Sequence, residues 1–393
     1  MTIRLPKVDY NWQWETTDCV HYEQTFYNLD KKRENEDLTD NEAIEYLKAQ
    51  MEMCQNNKLT IEEQKQMIHD YFDILKDKKY KKVKEDFDLI MVCNTKLYFK
   101  HMWYQEGYTN RLLHQYADVF LDYHLVIELI DGKIKKLTDE HKDKNDILFS
   151  TIRNLCHKCV FIAREIECLM KNGFPNGALA RWRTLFEYNM ISNFILGQKD
   201  NAPECAERYI YYADIEQYKF AKAYKEHAPY FEFKKLSKKK FEEKQKIYDK
   251  LIKKYGEDFG KEYGWARKYL KNANFAEIVK QSKINQHMIL QYKWSCGYVH
   301  GNANNLYTNL AYLQSHQNIY DDLTITDMSC YGFTEPLQLT CRCLIDILSD
   351  LYLCDRRKPE DLAILSVLMH YCRNLAKKCS KIEDEVKKDD KIR

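Results

Sequence analysis

GFPNGALARWRTLFEYNMISNFILG, residues 173 to 197, is the stretch that decides the fold. Gly173 accepts a positive φ cheaply, so it can end a helix that arrives over Asp146 to Asn172. Pro175 suits the first turn of a new helix, where its missing N–H removes no hydrogen bond and its fixed φ is already helical. From there to Gly197 no second proline interrupts a run rich in Leu, Ala, Phe, Met and Ile. The stretch reads as a helix stop, a tight turn and a long new helix. The same grammar extends in both directions. Only 11 Gly and 6 Pro punctuate 393 residues, and no alternating apolar pattern is long enough for a strand. The expected fold class is all-α, a multi-helix bundle.

Residues 1 to 38 read as an irregular arm carrying Tyr10, Trp12, Trp14, Tyr22 and Phe26. Thr39 and Asp40 can cap a helix through residue 54, and Thr60 with Glu63 has capping-box spacing for a second helix through Leu75. Apolar periodicity predicts further helices over 82–105 and over Asn110 to Leu137. Pro203 opens ECAERYIYYADIEQYKFAKAYKEH, a Lys-rich helix follows, and the chain loosens around Gly264 and Trp265. A helix is expected from Ile284 to Tyr298 with Gly301 at its end, then helices over 335–354 and 359–379. The last residues, KIEDEVKKDDKIR, are expected to fray. Three regions result: an N-terminal helical region with its arm at 1–140, a central helical domain at 141–315, and a C-terminal helical pair with a charged tail at 316–393.

The 62 basic and 60 acidic residues leave a formal charge of +2, so any binding to nucleic acid must be local rather than a property of the whole surface. No apolar run approaches the ~18 residues of a membrane span, and the N-terminus lacks a signal-peptide core, so the expected location is cytoplasmic with no membrane partner. Most of the fourteen cysteines, among them Cys54, Cys93, Cys168 and Cys354, fall inside helical patterns, as reduced thiols acting as small buried apolar groups would.

Two places carry candidate chemistry. In RWRTLFE, Arg183 and Glu187 stand four apart on one helix face and can pair, while Leu185 and Phe186 face the core. Held that way, the fixed fork of Arg183 suits a phosphate or carboxylate, although the same spacing also serves a plain structural ion pair. In KWSCGYVHGNANN, Tyr292, Cys296 and His300 recur every four residues, with Lys293 two turns behind His300 and Ser295 beside the stripe. A His at a helix C-terminus is favoured in its charged form by the dipole, which suits proton donation; it is equally at home as a cap.

Other patterns point less far. Cys156-His-Lys-Cys159 lacks a second ligand pair for zinc, and Arg153 with His157 is an i, i+4 pair on one helix. There is no phosphate-cradling glycine loop, Gly-x-Ser-x-Gly or His-Glu-x-x-His, so no metal or cofactor is expected. Lys234, Lys235, Lys238, Lys239 and Lys240, interleaved with Phe231, Phe233 and Phe241, read either as a solvated face or as a footprint for a nucleic-acid backbone.

Taken in order, GFPNGALARWRTLFE, ERYIYYADIEQYK, Trp265 and QYKWSCGYVHG resemble the bacterial domain-of-unknown-function family 5677 over residues 145 to 310. Members share a Gly-x4-Ala-x4-Arg-Ser/Thr-Leu-Phe-Glu helix and a later Tyr-x2-Ser-x4-His element. The matching positions are Gly173, Ala178, Arg183, Thr184, Leu185, Phe186 and Glu187, then Arg208 and Tyr209, then Tyr292, Ser295 and His300. That layout is in turn similar to the HEPN superfamily of small helical ribonucleases and toxins of bacterial immunity. Its signature is Arg-x4–6-His on one helix, four to six residues lying between the two; here the residue seven before His300 is Lys293 and no Arg lies in the window.

The resemblance implies a HEPN-like core and a metal-independent ribonuclease effector of antiphage defence or a toxin system. In that scheme His300 moves a proton, Arg183 and Lys293 stabilise phosphorane charge, and Glu187 orients Arg183. Tyr292, Ser295, Arg208 and Tyr209 position substrate. The implied partners are RNA, a second copy of the chain, and a protein encoded in the same defence operon. The rival expectation is a non-catalytic interaction or RNA-binding module, in which Arg183, Glu187, Tyr292 and His300 form a buried polar network.

Overall fold

The computed structural model describes residues 101–141, 145–228, 236–282, 286–300, 328–355 and 358–390. Contacts divide the chain into two units, Met1–Tyr98 and Phe99–Arg393, and the described residues all lie in the second. The aromatic arm, the helices expected over 40–54 and 60–75 and most of that over 82–105, together with Cys54, Cys93, Phe231, Phe233, Lys234, Lys235, Ile284, Gly301 and Asn302, lie outside them.

Among the described residues every regular element is helical and there is no strand. A helical segment over 101–115 turns at Tyr116 into α1 (Ala117–Glu140), followed by α2 (Ile147–Lys171), α3 (Pro175–Gly197), α4 (Ala202–His227), α5 (Lys238–Tyr255), α6 (Phe275–Gln281), α7 (Ile289–Cys296), α8 (Thr334–Cys354) and α9 (Pro359–Asp390). Short 3-10 turns sit before α4 and α7 and after α5.

The opening stretch folds as its residues dictate. Asp146 accepts the Phe149 N–H at 3.0 Å and starts α2. At the other end Gly173 has φ 78°, its N–H reaches the Met170 carbonyl at 3.0 Å, and the Phe174 N–H reaches Leu169 at 2.9 Å. This pair of bonds is a Schellman stop, and it satisfies carbonyls that the helix end would otherwise orphan. A Cβ on Gly173 would stand 2.9 Å from that of Met328, so the turn is also packed against the chain entering α8.

α3 lies at the centre and packs against α2, α8, α4, α6 and α7. It is therefore buried on several sides, with Leu179, Trp182, Leu185, Phe186, Met190 and Ile195 at 0% exposure. α1 and α9 pack against each other and against α8, while α4 and α5 form a second layer beside α2 and α3. One polar cluster of this core is paired: Asp350 accepts from Ser192 Oγ at 2.7 Å and Asn193 Nδ2 at 2.6 Å, and Ser282 donates to Asn193 at 3.1 Å.

Three local expectations need correction. The charged tail does not fray at its start, because α9 runs to Asp390. Buried Glu383 accepts the N–H of Gly332 at 2.9 Å and the Thr334 hydroxyl at 2.7 Å, so its carboxylate caps the N-terminus of α8. The expected helix ending at Tyr298 is shorter: after Cys296 the bonds tighten into turns, with the His300 N–H still reaching the Cys296 carbonyl at 3.0 Å. Cys168 is exposed on the outer face of α2 rather than buried.

Candidate functional site

The core contacts of α3 aim its polar side chains. Leu185 and Phe186 are both fully buried, which leaves Arg183 and Glu187 on the side facing α7. There the ring of Tyr292 packs 5.5 Å from Phe186 and 4.9 Å from Phe275 of α6, centroid to centroid. Its hydroxyl donates to Glu187 Oε1 at 2.7 Å and accepts from Arg183 Nη2 at 3.0 Å. The guanidinium carbon of Arg183 lies 5.0 Å from the Tyr292 ring centroid, and Nη1 is 3.3 Å from Nε2 of His300. Arg183 Nε stands 3.3 Å from Glu187 Oε1, an ion-pair distance without a hydrogen bond's alignment. Four side chains separated by up to 117 positions thus meet at one place.

Their protonation follows from the contacts. Burial pushes the Tyr292 phenol above its ordinary range, the bond to the Glu187 carboxylate pushes it further, and Arg183 only partly offsets them. Tyr292 is a neutral hydroxyl. Burial opposes the charge on Arg183, but the bond to Tyr292 and the nearby carboxylate outweigh it, so the guanidinium stays charged. Arg183 can only donate, so His300 Nε2 is the acceptor side of this contact. His300 is exposed. Of the five guanidinium N–H groups, those on Nη2 and Nη1 reach Tyr292 and His300, that on Nε lies near Glu187 without a hydrogen bond, and the other two have no acceptor among the described residues. The arrangement offers a rigid cation with spare donors beside an imidazole open to solvent.

The other sequence candidates lie elsewhere. Lys293 is exposed and bonds to none of the four. Ser295 is fully buried, its hydroxyl spent on the Tyr292 carbonyl at 2.7 Å. Arg208 is 5% exposed and donates to the carbonyls of Trp265 at 3.1 Å and Gly264 at 3.3 Å. Tyr209 packs edge-on against Trp265 at 5.0 Å, and burial pushes its phenol up. Both side chains brace the loop after α5. Lys238, Lys239 and Lys240 are exposed in the first turn of α5, which Ser237 caps by accepting the Lys240 N–H at 3.3 Å. Cys156 and Cys159 are fully buried and turn toward the carbonyls of Ile347 and Leu185, as core thiols do. Among the described residues no group of His, Cys, Asp and Glu could hold a metal ion.

Sequence reasoning missed two neighbours of the site. Phe275, which walls Tyr292, follows Asn274, whose side chain caps α6 by accepting the Glu277 N–H at 3.0 Å; that cap was a readable signal. Tyr263 lies within electrostatic reach of Glu187 and Arg183, and nothing in its sequence surroundings announced it.

The model of a family of unknown function (DUF5677) matches residues 149–319. That segment is less than half the chain, and it holds all four converging side chains. No curated protein and no solved structure matches the chain. Among the described residues no helix is long and apolar enough to cross a membrane.

Proposed function

We propose that the chain is a metal-independent endoribonuclease with a HEPN-like core, working as an effector of bacterial antiphage defence or of a toxin system. The observation that carries this reading is the contact between Arg183 and the exposed imidazole of His300, with Glu187 and Tyr292 fixing the guanidinium from behind. An RNA phosphate entering between them takes guanidinium N–H groups onto its non-bridging oxygens. His300 Nε2, released from Arg183, takes the proton of the 2′-hydroxyl as that oxygen attacks phosphorus. The bond to the 5′-oxygen breaks, the leaving oxygen takes a proton from solvent water, to which His300 later returns its own, and a 2′,3′-cyclic phosphate and a 5′-hydroxyl result. Arg183 stabilises the charge that builds on phosphorus as the step proceeds.

Lys293, exposed on α7, and the lysines at the start of α5 supply charge along the RNA backbone rather than at the reacting phosphate. A second copy of the chain and a protein of the same operon are the partners this reading brings with it.

Expression of the wild type and of His300→Ala in a bacterial host, with cellular RNA followed on gels, tests the reading. RNA breakdown and growth arrest are expected from the wild type alone. Intact RNA from both, or equal toxicity, overturns it.

One observation favours a second reading, a non-catalytic clamp: three of the five Arg183 donors already face protein groups, so the four side chains can be read as a lock between α3 and α7. The lock predicts that His300→Ala lowers the unfolding midpoint while leaving RNA intact.

A further inference from the structure

α1 carries apolar side chains on two faces. The inner face packs against α2, α8 and α9, with Tyr123, Ile127 and Ile130 fully buried. On the outer face Leu121, Leu125 and Leu129 recur every four residues and stand 56%, 43% and 48% exposed. Single exposed leucines are ordinary on a protein surface. Three in line on one helix hold a continuous apolar ridge in water, and covering such a ridge is favourable.

The charges at its ends decide what covers it. Asp118 and Lys136 are both exposed and stand eighteen residues apart, about five helical turns, so each lies in line with the leucines. Lys136 approaches Glu140 only at 3.9 Å and stays open to another carboxylate. The ridge thus has an acidic end and a basic end, and reversed about Ile127 it matches itself. In a second α1 laid antiparallel across the first, Asp118 of each copy faces Lys136 of the other, and Leu125 of each meets Leu129 of the other. Leu121 then falls over Gly132, an exposed position where a Cβ would meet nothing within 4 Å, so the incoming side chain finds room. A parallel pairing would set Asp118 on Asp118 and Lys136 on Lys136, and like charges directly opposed repel. One patch serving both partners is what a twofold interface requires.

We propose that the outer face of α1 is the contact between two copies of the chain, paired antiparallel about Ile127. The inference goes beyond the reading of the Arg183–His300 site and does not rest on it: a protein that cuts no RNA would pair in the same way.

Sedimentation velocity of the full-length protein over about 1–100 μM, the range of ordinary moderate affinities, tests it. A dimer is expected. Leu125→Asp changes an exposed position, so it should run as a monomer while its circular dichroism stays that of the wild type. Asp118→Lys and Lys136→Asp should each raise the dimer Kd about tenfold, because two attractive pairs become two repulsive ones. Mixed in equal amounts, the two variants should form a heterodimer about as tight as the wild-type dimer, since each then offers the charge the other needs. Mixing changes nothing within either chain, so this recovery reports contact between chains alone. A wild type that stays monomeric over the range, a dimer indifferent to Leu125→Asp, or charge variants that associate no better mixed than apart would overturn the inference.

Discussion

Arg183 on α3 and Arg208 on α4 are both set among aromatic rings, and they are put to opposite uses. Arg208 is 5% exposed, bonds to two backbone carbonyls and packs beside two rings, so its guanidinium is turned into the fold rather than toward a ligand. The Arg183 side chain is 21% exposed, meets side chains on and just beyond a neighbouring helix and, among the described residues, keeps two N–H groups without a protein acceptor. The difference teaches how to tell a tether from a site. A tether ends on backbone and is closed; a site ends on side chains that can exchange partners and stays open to solvent.

The largest effect expected from this contrast is on stability. Arg208→Ala strands two loop carbonyls and empties the space beside two rings, and should cost about 3–5 kcal/mol by chemical denaturation. Arg183→Ala, whose partners reach water, should cost about 1 kcal/mol or less. Equal costs would erase the distinction. Next in size, Gly173→Ala forces a left-handed alanine against Met328 and should lose at least about 1–2 kcal/mol; a neutral outcome would show that the turn relaxes.

Replacing the Glu383 cap by Ala should cost about 1 kcal/mol, read as a lower denaturation midpoint, and it should leave phosphate binding at Arg183 unchanged. Smallest is a titration. Glu187→Gln removes a cause that raises the Tyr292 phenol, so its ionisation, followed by ultraviolet absorbance against a Tyr292→Phe blank, should move down in pH, whereas Arg183→Gln should move it up. In the wild type the folded phenol holds its proton more tightly than an unfolded one. Its contribution to stability is therefore complete below pH ~10 and is lost as pH rises further.

Much of this was legible in the residues. The helix stops at Gly173 and Gly197 and the first-turn proline at Pro175 depend on local backbone chemistry, which a sequence states directly. The spacing of Arg183 to Glu187 and of Tyr292 to His300 gave the two faces, and the resemblance coupled them. The remaining features depend on distant parts of the chain. Whether Arg208 points at a ligand or at a carbonyl depends on where Gly264 lies in space. Glu383 reads as one charge in a charged tail until α8 begins beside it. Ser295 stands beside the stripe on paper, yet its hydroxyl turns back to the Tyr292 carbonyl, which costs the helix little and removes it from the site. Tyr263 gave no signal, because its place is fixed by tethers from α4.

The central claim is that Arg183 and His300 together act on a phosphodiester. End-group analysis of an RNA oligonucleotide incubated with purified full-length protein in the presence of a chelator tests it most directly. Wild type should leave 2′,3′-cyclic phosphate and 5′-hydroxyl ends, with the rate in His300→Ala lower by about 10²–10⁴-fold and lost likewise in Arg183→Gln. An uncut oligonucleotide, or cleavage that survives both substitutions, would contradict it.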